Sequence, residues 1–250
     1  MKKVFFLWAF VFSSIWGQEP LVVGTASGYA PYVSLDAQGR LEGFDIDFAA
    51  ALAQKLNRKL VIKDLGSMPS LLLALQQKKV DVLIWAVSIT EDRCKKMEMI
   101  YYQGERVTQM PFLFWKEIPE GITSIEDLGK NPKYVVSVEA GSWQEGVLKK
   151  YPKVVSKQVE KVPDAMLEIL YGKSLAAMVD PSLVKKLTSQ YPELRVLSLP
   201  LKIEDVCLGN GICLRKDNTV LIQEMQKAVD ELTLEGKVLD LEQKWKIGGS

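Results

Sequence analysis

Short apolar runs alternate with helically periodic segments along nearly the whole chain, and this alternation narrows the choice of fold more than any other feature. Residues 21–25, 59–64 and 80–86 read as buried strands, while 44–56 and 70–77 read as helices between them. The first helix places apolar side chains at 44, 48, 49, 52, 53 and 56, the period of one helical face, with Asp45 as a cap or first-turn carboxylate. Strand–helix–strand order of this kind predicts an α/β protein with a mostly parallel sheet and helices on its faces. Ligands in such sheets sit beyond the carboxyl ends of the strands.

The rhythm recurs. Residues 134–138, 154–158 and 175–179 read as strands, with helices over 143–150 and 164–171 between them. Leu75–Trp85 also aligns with Leu170–Asp180, each a helix end, a turn holding a lysine and a buried strand. Two lobes of similar build follow, with Trp85 and Asp180 at equivalent strand mouths. Polar residues 102–108 and the stretch 200–205 are candidate crossings between the lobes, and the periodic tail 219–246, interrupted at Gly236, returns to the first. The expected organisation is a leader over 1–17, a first lobe from 18–105 and 204–250, and a second from 106–203. Hinges are expected near 104–108 and 200–206.

The leader expectation rests on Lys2 and Lys3, an apolar run over 4–15, and Gly17 ahead of polar Gln18-Glu19. That run is too short to cross a bilayer and has the layout of a secretory signal peptide. An exported, periplasmic, soluble protein is therefore predicted. With 32 basic and 31 acidic residues, the chain has no electrostatic footprint for nucleic acid. Histidine is absent, which excludes Ser-His-Asp and Cys-His catalysis and His-ligated zinc. No cofactor or metal is expected. Of the three cysteines, only Cys207 and Cys213 lie close in sequence; a bridge between them and a pair of free thiols both stay open.

Within this frame, Ser88-Ile89-Thr90-Glu91-Asp92-Arg93 stands at the end of a buried strand. Thr90 offers a cap oxygen, Glu91 and Asp92 suit a first helical turn, and Arg93 completes it. Hydroxyl, helix N–H groups and guanidinium converge on a spot suited to a small carboxylate. An ordinary capped helix with a solvated arginine is the competing reading.

Several motifs in order add to this. They are Tyr29-Ala30-Pro31-Tyr32, Gly43-Phe44-Asp45-Ile46-Asp47, Lys79-Val80-Asp81-Val82, Ser88-Ile89-Thr90 with Arg93, Gly141-Ser142, and Gly236 with Lys244-Trp245. Together they resemble the solute-binding proteins of polar amino acid ABC transporters, the group typified by lysine/arginine/ornithine-, histidine-, arginine- and glutamine-binding proteins. The resemblance runs from about Leu21 to Trp245 and implies the two-lobed periplasmic binding protein fold (type II) with a two-strand hinge. It implies that Arg93 holds a ligand α-carboxylate with Ser88 and with the N–H and hydroxyl of Ser142. Asp180 would pair with the α-ammonium, aided by the Ala86 carbonyl; from the residues alone it reads rather as a turn or helix-start residue beside Pro181. Tyr29 would lie against the ligand side chain, and Gln144 belongs to the same implied set. The implied partners are an amino acid and a membrane permease with its ATPase, the binding protein itself being a monomer.

Departures from the pattern concern selectivity. Members commonly carry an acidic residue where this chain has Ala26, and often an aromatic lid where it has Met68. Trp85 and Trp143 either reshape the pocket or point into the core. Glu139 falls where the glutamine binder has a lysine; facing the cleft it would favour a cationic or amide side chain, and otherwise it is surface. A basic ligand such as arginine, or an amide, is expected. The rival is a periplasmic dehydratase-type enzyme on the same scaffold, with Glu139 as its only suggestive acid.

Overall fold

A computed structural model describes residues 19–247; the expected leader over 1–17 lies outside them. The first strands and helices are β1 (Leu21–Thr25), the short pair β2 (Ser34–Leu35) and β3 (Leu41–Glu42), α1 (Phe44–Lys55), β4 (Leu60–Asp64) and α2 (Met68–Gln76). Then come β5 (Val82–Ser88), α3 (Glu91–Lys96) and β6 (Glu98–Gln103). The chain crosses to a second sheet with β7 (Gln109–Trp115), β8 (Val135–Glu139), α4 (Trp143–Leu148), β9 (Val155–Val159), α5 (Val162–Leu170), β10 (Ala176–Met178), α6 (Pro181–Gln190) and β11 (Leu194–Pro200). It returns with β12 (Asn210–Leu214), α7 (Thr219–Leu234) and α8 (Lys237–Trp245).

The two five-stranded sheets have one plan. The first runs β4-β1-β5-β12-β6 and the second, read from its matching edge, β9-β8-β10-β7-β11. Topology thus makes β5 and β10 equivalent, the strands that the sequence alignment of Leu75–Trp85 with Leu170–Asp180 had paired. Four strands of each sheet run one way and a single strand runs against them, so the mostly parallel sheets that the strand–helix rhythm predicts are each interrupted by one antiparallel strand. In the first, β4, β1 and β5 are parallel and β12 is antiparallel to both neighbours. In the second, β9, β8 and β10 are parallel and β7 is antiparallel to both neighbours. The reason is the crossing itself. A strand that enters a sheet from the side where β5 and β10 end must run back against them.

Gly43 shows why one helix begins where it does. Its φ is 134°, and a Cβ there would lie 2.1 Å from the Tyr32 carbonyl oxygen, so only glycine fits this approach. α1 then buries Phe44, Phe48, Ala49, Leu52 and Ala53 on one face. Full burial of such a side chain contributes about 1.5–3 kcal/mol. The same cluster takes in Leu221, Met225, Val229 and Leu241 of α7 and α8, so the tail packs on the first sheet. Trp245 Nε1 and Lys244 Nζ both reach Asp47 Oδ2 at 2.7 Å, tying α8 to α1.

The second sheet is covered on both faces by separate apolar clusters, one with Phe112, Phe114 and Trp143 and one with Leu113, Met166 and Leu187. Between the sheets, Val107 and Cys207 exchange backbone hydrogen bonds of 3.0 and 3.3 Å, and Leu201 N donates to Thr108 at 2.9 Å. Tyr102 and Gln103, read from their polarity as crossing residues, instead end β6 as buried side chains. All three cysteines are free, Cys207 and Cys213 buried and Cys94 exposed.

Candidate functional site

β5 is buried along its whole length and carries Trp85, Ala86 and Ser88 to its carboxyl end. Ala86 is bent to φ 43°, a left-handed conformation that costs a non-glycine residue about 1–3 kcal/mol. No ladder register includes it: β5 and β12 slip past each other between Gly211 and Cys213. The bend is held from behind. Ala86 N–H donates to Asp45 Oδ2 at 2.8 Å and to the Tyr102 hydroxyl oxygen at 3.2 Å, and that hydroxyl donates to Asp45 Oδ1 at 2.7 Å. Burial pushes the Asp45 carboxyl up to about 7, against the pull of these two hydrogen bonds. Asp45, the first-turn carboxylate that the sequence predicts, is thus also the strut that lets the Ala86 carbonyl stand outside the ladder.

Beyond Ser88, Thr90 Oγ1 accepts from the Arg93 backbone N–H at 3.3 Å, the cap that the hexapeptide predicts. The Arg93 guanidinium does not point to open solvent. Nη1 donates to the Ser88 carbonyl at 2.9 Å and Nη2 to the Gly141 carbonyl of the second sheet's loops at 3.1 Å, so one side chain joins both halves. Burial lowers its pKa, opposed mainly by the Cys213 and Cys207 thiols and by Glu139. Arginine nevertheless stays protonated in proteins.

Gly141 has φ 73°, and a Cβ there would meet Met68 Cγ at 3.1 Å, so the close approach of α2 to this turn needs glycine. Its N–H donates to Glu145 Oε2 at 2.7 Å, while Glu145 N–H donates to Ser142 Oγ at 3.1 Å. The Ser142 N–H is already directed at the Glu139 carbonyl at 3.3 Å. The turn thus already engages that N–H, while the hydroxyl proton of Ser142 has no acceptor among the described residues.

Asp180 is both a helix-start residue and part of the cleft wall. It caps α6, with Oδ1 accepting from Ser182 N at 2.9 Å and Ser182 Oγ at 2.6 Å, and it lines the cleft with Oδ2 unpartnered among the described residues. Tyr29 stacks on Tyr32 with centroids 5.6 Å apart and lies against Trp85 at the same separation. Trp143 faces the second core, its Nε1 donating to the Asp205 carbonyl at 2.9 Å, with part of the ring left on the cleft wall. Glu139 ends β8 and makes no side-chain hydrogen bond or ion pair among the described residues. Burial and the nearby Asp180 carboxylate push its carboxyl up to about 7, against the pull of Arg93 and Lys161.

One cavity between the sheets is lined by Tyr29, Met68, Trp85, Ala86, Ser88, Arg93, Glu139, Ser142, Trp143, Gln144 and Asp180. The sequence reading had selected each of these. It missed Val162, Met178, Val179 and Leu183, which complete the wall. Val179 and Leu183 flank Asp180 closely enough for their place to have been anticipated; Val162 carries no such signal. Ala26 is fully buried and lines none of this cavity.

Arg93 and Asp180, of opposite charge, thus share the wall of one cavity between the two sheets. The chain belongs to the bacterial extracellular solute-binding proteins, family 3, whose sequence pattern matches residues 21–248. It is a binding protein and not an enzyme, and the dehydratase alternative finds no support. A Chlamydia trachomatis protein named "Probable ABC transporter arginine-binding protein ArtJ" is 31% identical over 92% of this chain and 86% of its own length. The Bacillus subtilis arginine-binding extracellular protein ArtP is 27% identical over 93% and 88%. Among solved structures, an ancestral arginine-binding protein bound to arginine superposes with TM-score 0.77 at 29% identity, covering 90% of this chain and 97% of its own. Among the described residues, no helix is long and apolar enough to cross a membrane.

Proposed function

We propose that this protein captures a free amino acid with a basic or amide side chain, arginine foremost, between its lobes and delivers it to an ABC permease and its ATPase. One observation carries the reading: Arg93 and Asp180 present opposite charges to the same cavity from the two halves. An amino acid supplies the matching pair. Its α-carboxylate takes the remaining guanidinium N–H groups with the Ser88 and Ser142 hydroxyls, and its α-ammonium takes Asp180 Oδ2 and the Ala86 carbonyl. Tyr29, Met68, Trp85, Trp143 and Gln144 form the walls around the side chain, which reaches toward Glu139. The names of the relatives support the ligand class, since those above are named as arginine-binding proteins, the first as a probable one, and an ancestral arginine-binding protein also has a glutamine-bound structure.

The lobes are 18–105 with 204–250, and 106–203, turning about 104–108 and 200–206. A ligand that touches both favours the closed arrangement by its differential affinity alone. The protein works as a monomer in the periplasm after removal of residues 1–17.

A thermal-shift screen of the twenty amino acids tests the proposal. At a hundredfold excess over Kd, binding adds about 2.7 kcal/mol, roughly 5–10 °C for a chain of this size. Arginine, or another basic or amide amino acid, is expected to give that shift. A flat response to all twenty overturns the reading.

A further inference from the structure

The clamp of Arg93 and Asp180 grips what all amino acids share, so selection must come from elsewhere in the cleft. The cavity that holds the clamp adjoins a second interlobe cavity, with Tyr29, Trp85, Glu139, Val162 and Leu183 lining both. Arg93 and Asp180 line only the first of these two. Glu139 stands where the two cavities meet, with Lys161 and Lys186 on the wall of the second, so a ligand cation that finds an acid here must find it at the junction. The position where the resemblance implies a cation-reading acid is Ala26, buried and apolar. That leaves Glu139 and Asp180 as the carboxylates of the clamp cavity, and Asp180 is committed to the α-ammonium. The Glu139 carboxyl has no hydrogen-bond or ion-pair partner of its own among the described residues.

Resting on the reading of the cleft given above, we propose that Glu139 is its specificity-determining residue, receiving the distal cation of a basic amino acid and releasing its own proton to solvent as it does so. The charged and titratable groups that act on it are Asp180, which holds the proton on, Arg93 and Lys161, which favour its loss, and the Tyr29 hydroxyl, whose own ionisation Glu139 opposes. Burial and Asp180 keep its carboxyl near 7 in the ligand-free cleft. A guanidinium or ammonium arriving at the junction supplies the missing counter-charge and makes the carboxylate the favoured form. An amide does not require this, because it can donate to the carboxylate or accept from the protonated acid. The chain has no histidine to titrate in the same range. Asp45 is the other carboxyl raised to about 7, but it is sealed behind Ala86 and lines neither cavity.

The test is calorimetric titration of the wild type and Glu139→Gln with arginine and with glutamine at pH 6, 7 and 8, in buffers of different ionisation enthalpy. The two ligands share their α-groups, so differences between them report on the distal end. For the wild type, arginine binding near pH 7 is expected to release about half a proton, and its affinity to fall about tenfold from pH 8 to pH 6, following the titration of one group. Glutamine should bind with little proton release and a flat profile. Glu139→Gln should abolish the release and weaken arginine at pH 8 by about tenfold to a hundredfold, the worth of a charge-assisted contact. It should weaken glutamine less than arginine and leave the glutamine profile flat with pH, while a thermal transition within a few degrees of wild type shows that the variant is folded. Arginine binding without proton release, or release that persists in Glu139→Gln and so belongs to Asp45, overturns the proposal while leaving the cleft reading intact. If neither ligand binds the wild type, the cleft reading fails and this inference fails with it.

Discussion

Replacing Arg93 should separate binding from folding. Its guanidinium has five N–H donors. Two are spent on the Ser88 and Gly141 carbonyls at 2.9 and 3.1 Å, which leaves three for a ligand carboxylate. Hydrogen bonds to charged groups contribute about 1.5–3 kcal/mol each. Losing two to the α-carboxylate in Arg93→Ala removes about 3–6 kcal/mol, or roughly two to four orders of magnitude in Kd. Arg93→Lys keeps the charge but not the planar fork, so it cannot reach both carbonyls and a carboxylate together. It should retain about one hydrogen bond's worth and lose one to two orders of magnitude. The fold should notice much less. The freed carbonyls border an open cleft, so the cost is about 1–2 kcal/mol, a fall of roughly 2–8 °C in Tm. Calorimetric titration with the best ligand, beside scanning calorimetry of each variant, reads both quantities. An Arg93→Ala variant that binds within threefold of wild type, with its transition unchanged, would refute the assignment.

Other substitutions probe the support of the site. Gly43→Ala places a Cβ 2.1 Å from the Tyr32 carbonyl at φ 134°, and expression should give little folded protein. Lys150→Met strips the 2.5 Å ion pair from Asp205, whose side chain is fully buried with Oδ2 already unpartnered. Because Lys150 itself is 37% exposed, the loss should be nearer 1–3 kcal/mol than the several expected of a fully buried pair, and denaturant unfolding would read it. Asp45 is raised from 3.8 to about 7, so the folded protein binds more protons than the unfolded chain between those values. Stability of the ligand-free protein should therefore fall as pH rises from about 5 to 7, and Asp45→Asn should reduce that slope in pH-dependent melts, leaving the share that Glu139 contributes. A slope unchanged in the variant would remove Asp45 from the account.

How much of this was visible in the chain can be argued residue by residue. The carboxyl end of β5 was, because eight consecutive mostly apolar residues followed by Thr90 and an acidic turn leave few alternatives. Asp180 was visible through its alignment with Trp85, which the shared plan of the two sheets explains. The reversal of β7 and β12 was not, since periodicity is the same whichever way a strand runs, and their direction follows from the crossing. The work of Asp45 was hidden for a similar reason: its partner Tyr102 lies on β6, and the bend at Ala86 leaves no mark in composition. Trp143 was ambiguous because an indole is large enough to face the core and the cleft at once, and it does both.

The account turns on a ligand held by both its α-groups, and the most direct measurement is calorimetric titration of the wild type at pH 8 with L-arginine and with agmatine, its decarboxylated counterpart. The account predicts one arginine per chain and, for agmatine, an affinity at least a hundredfold weaker, because Arg93 then faces no anion. Agmatine binding as tightly as arginine would contradict it.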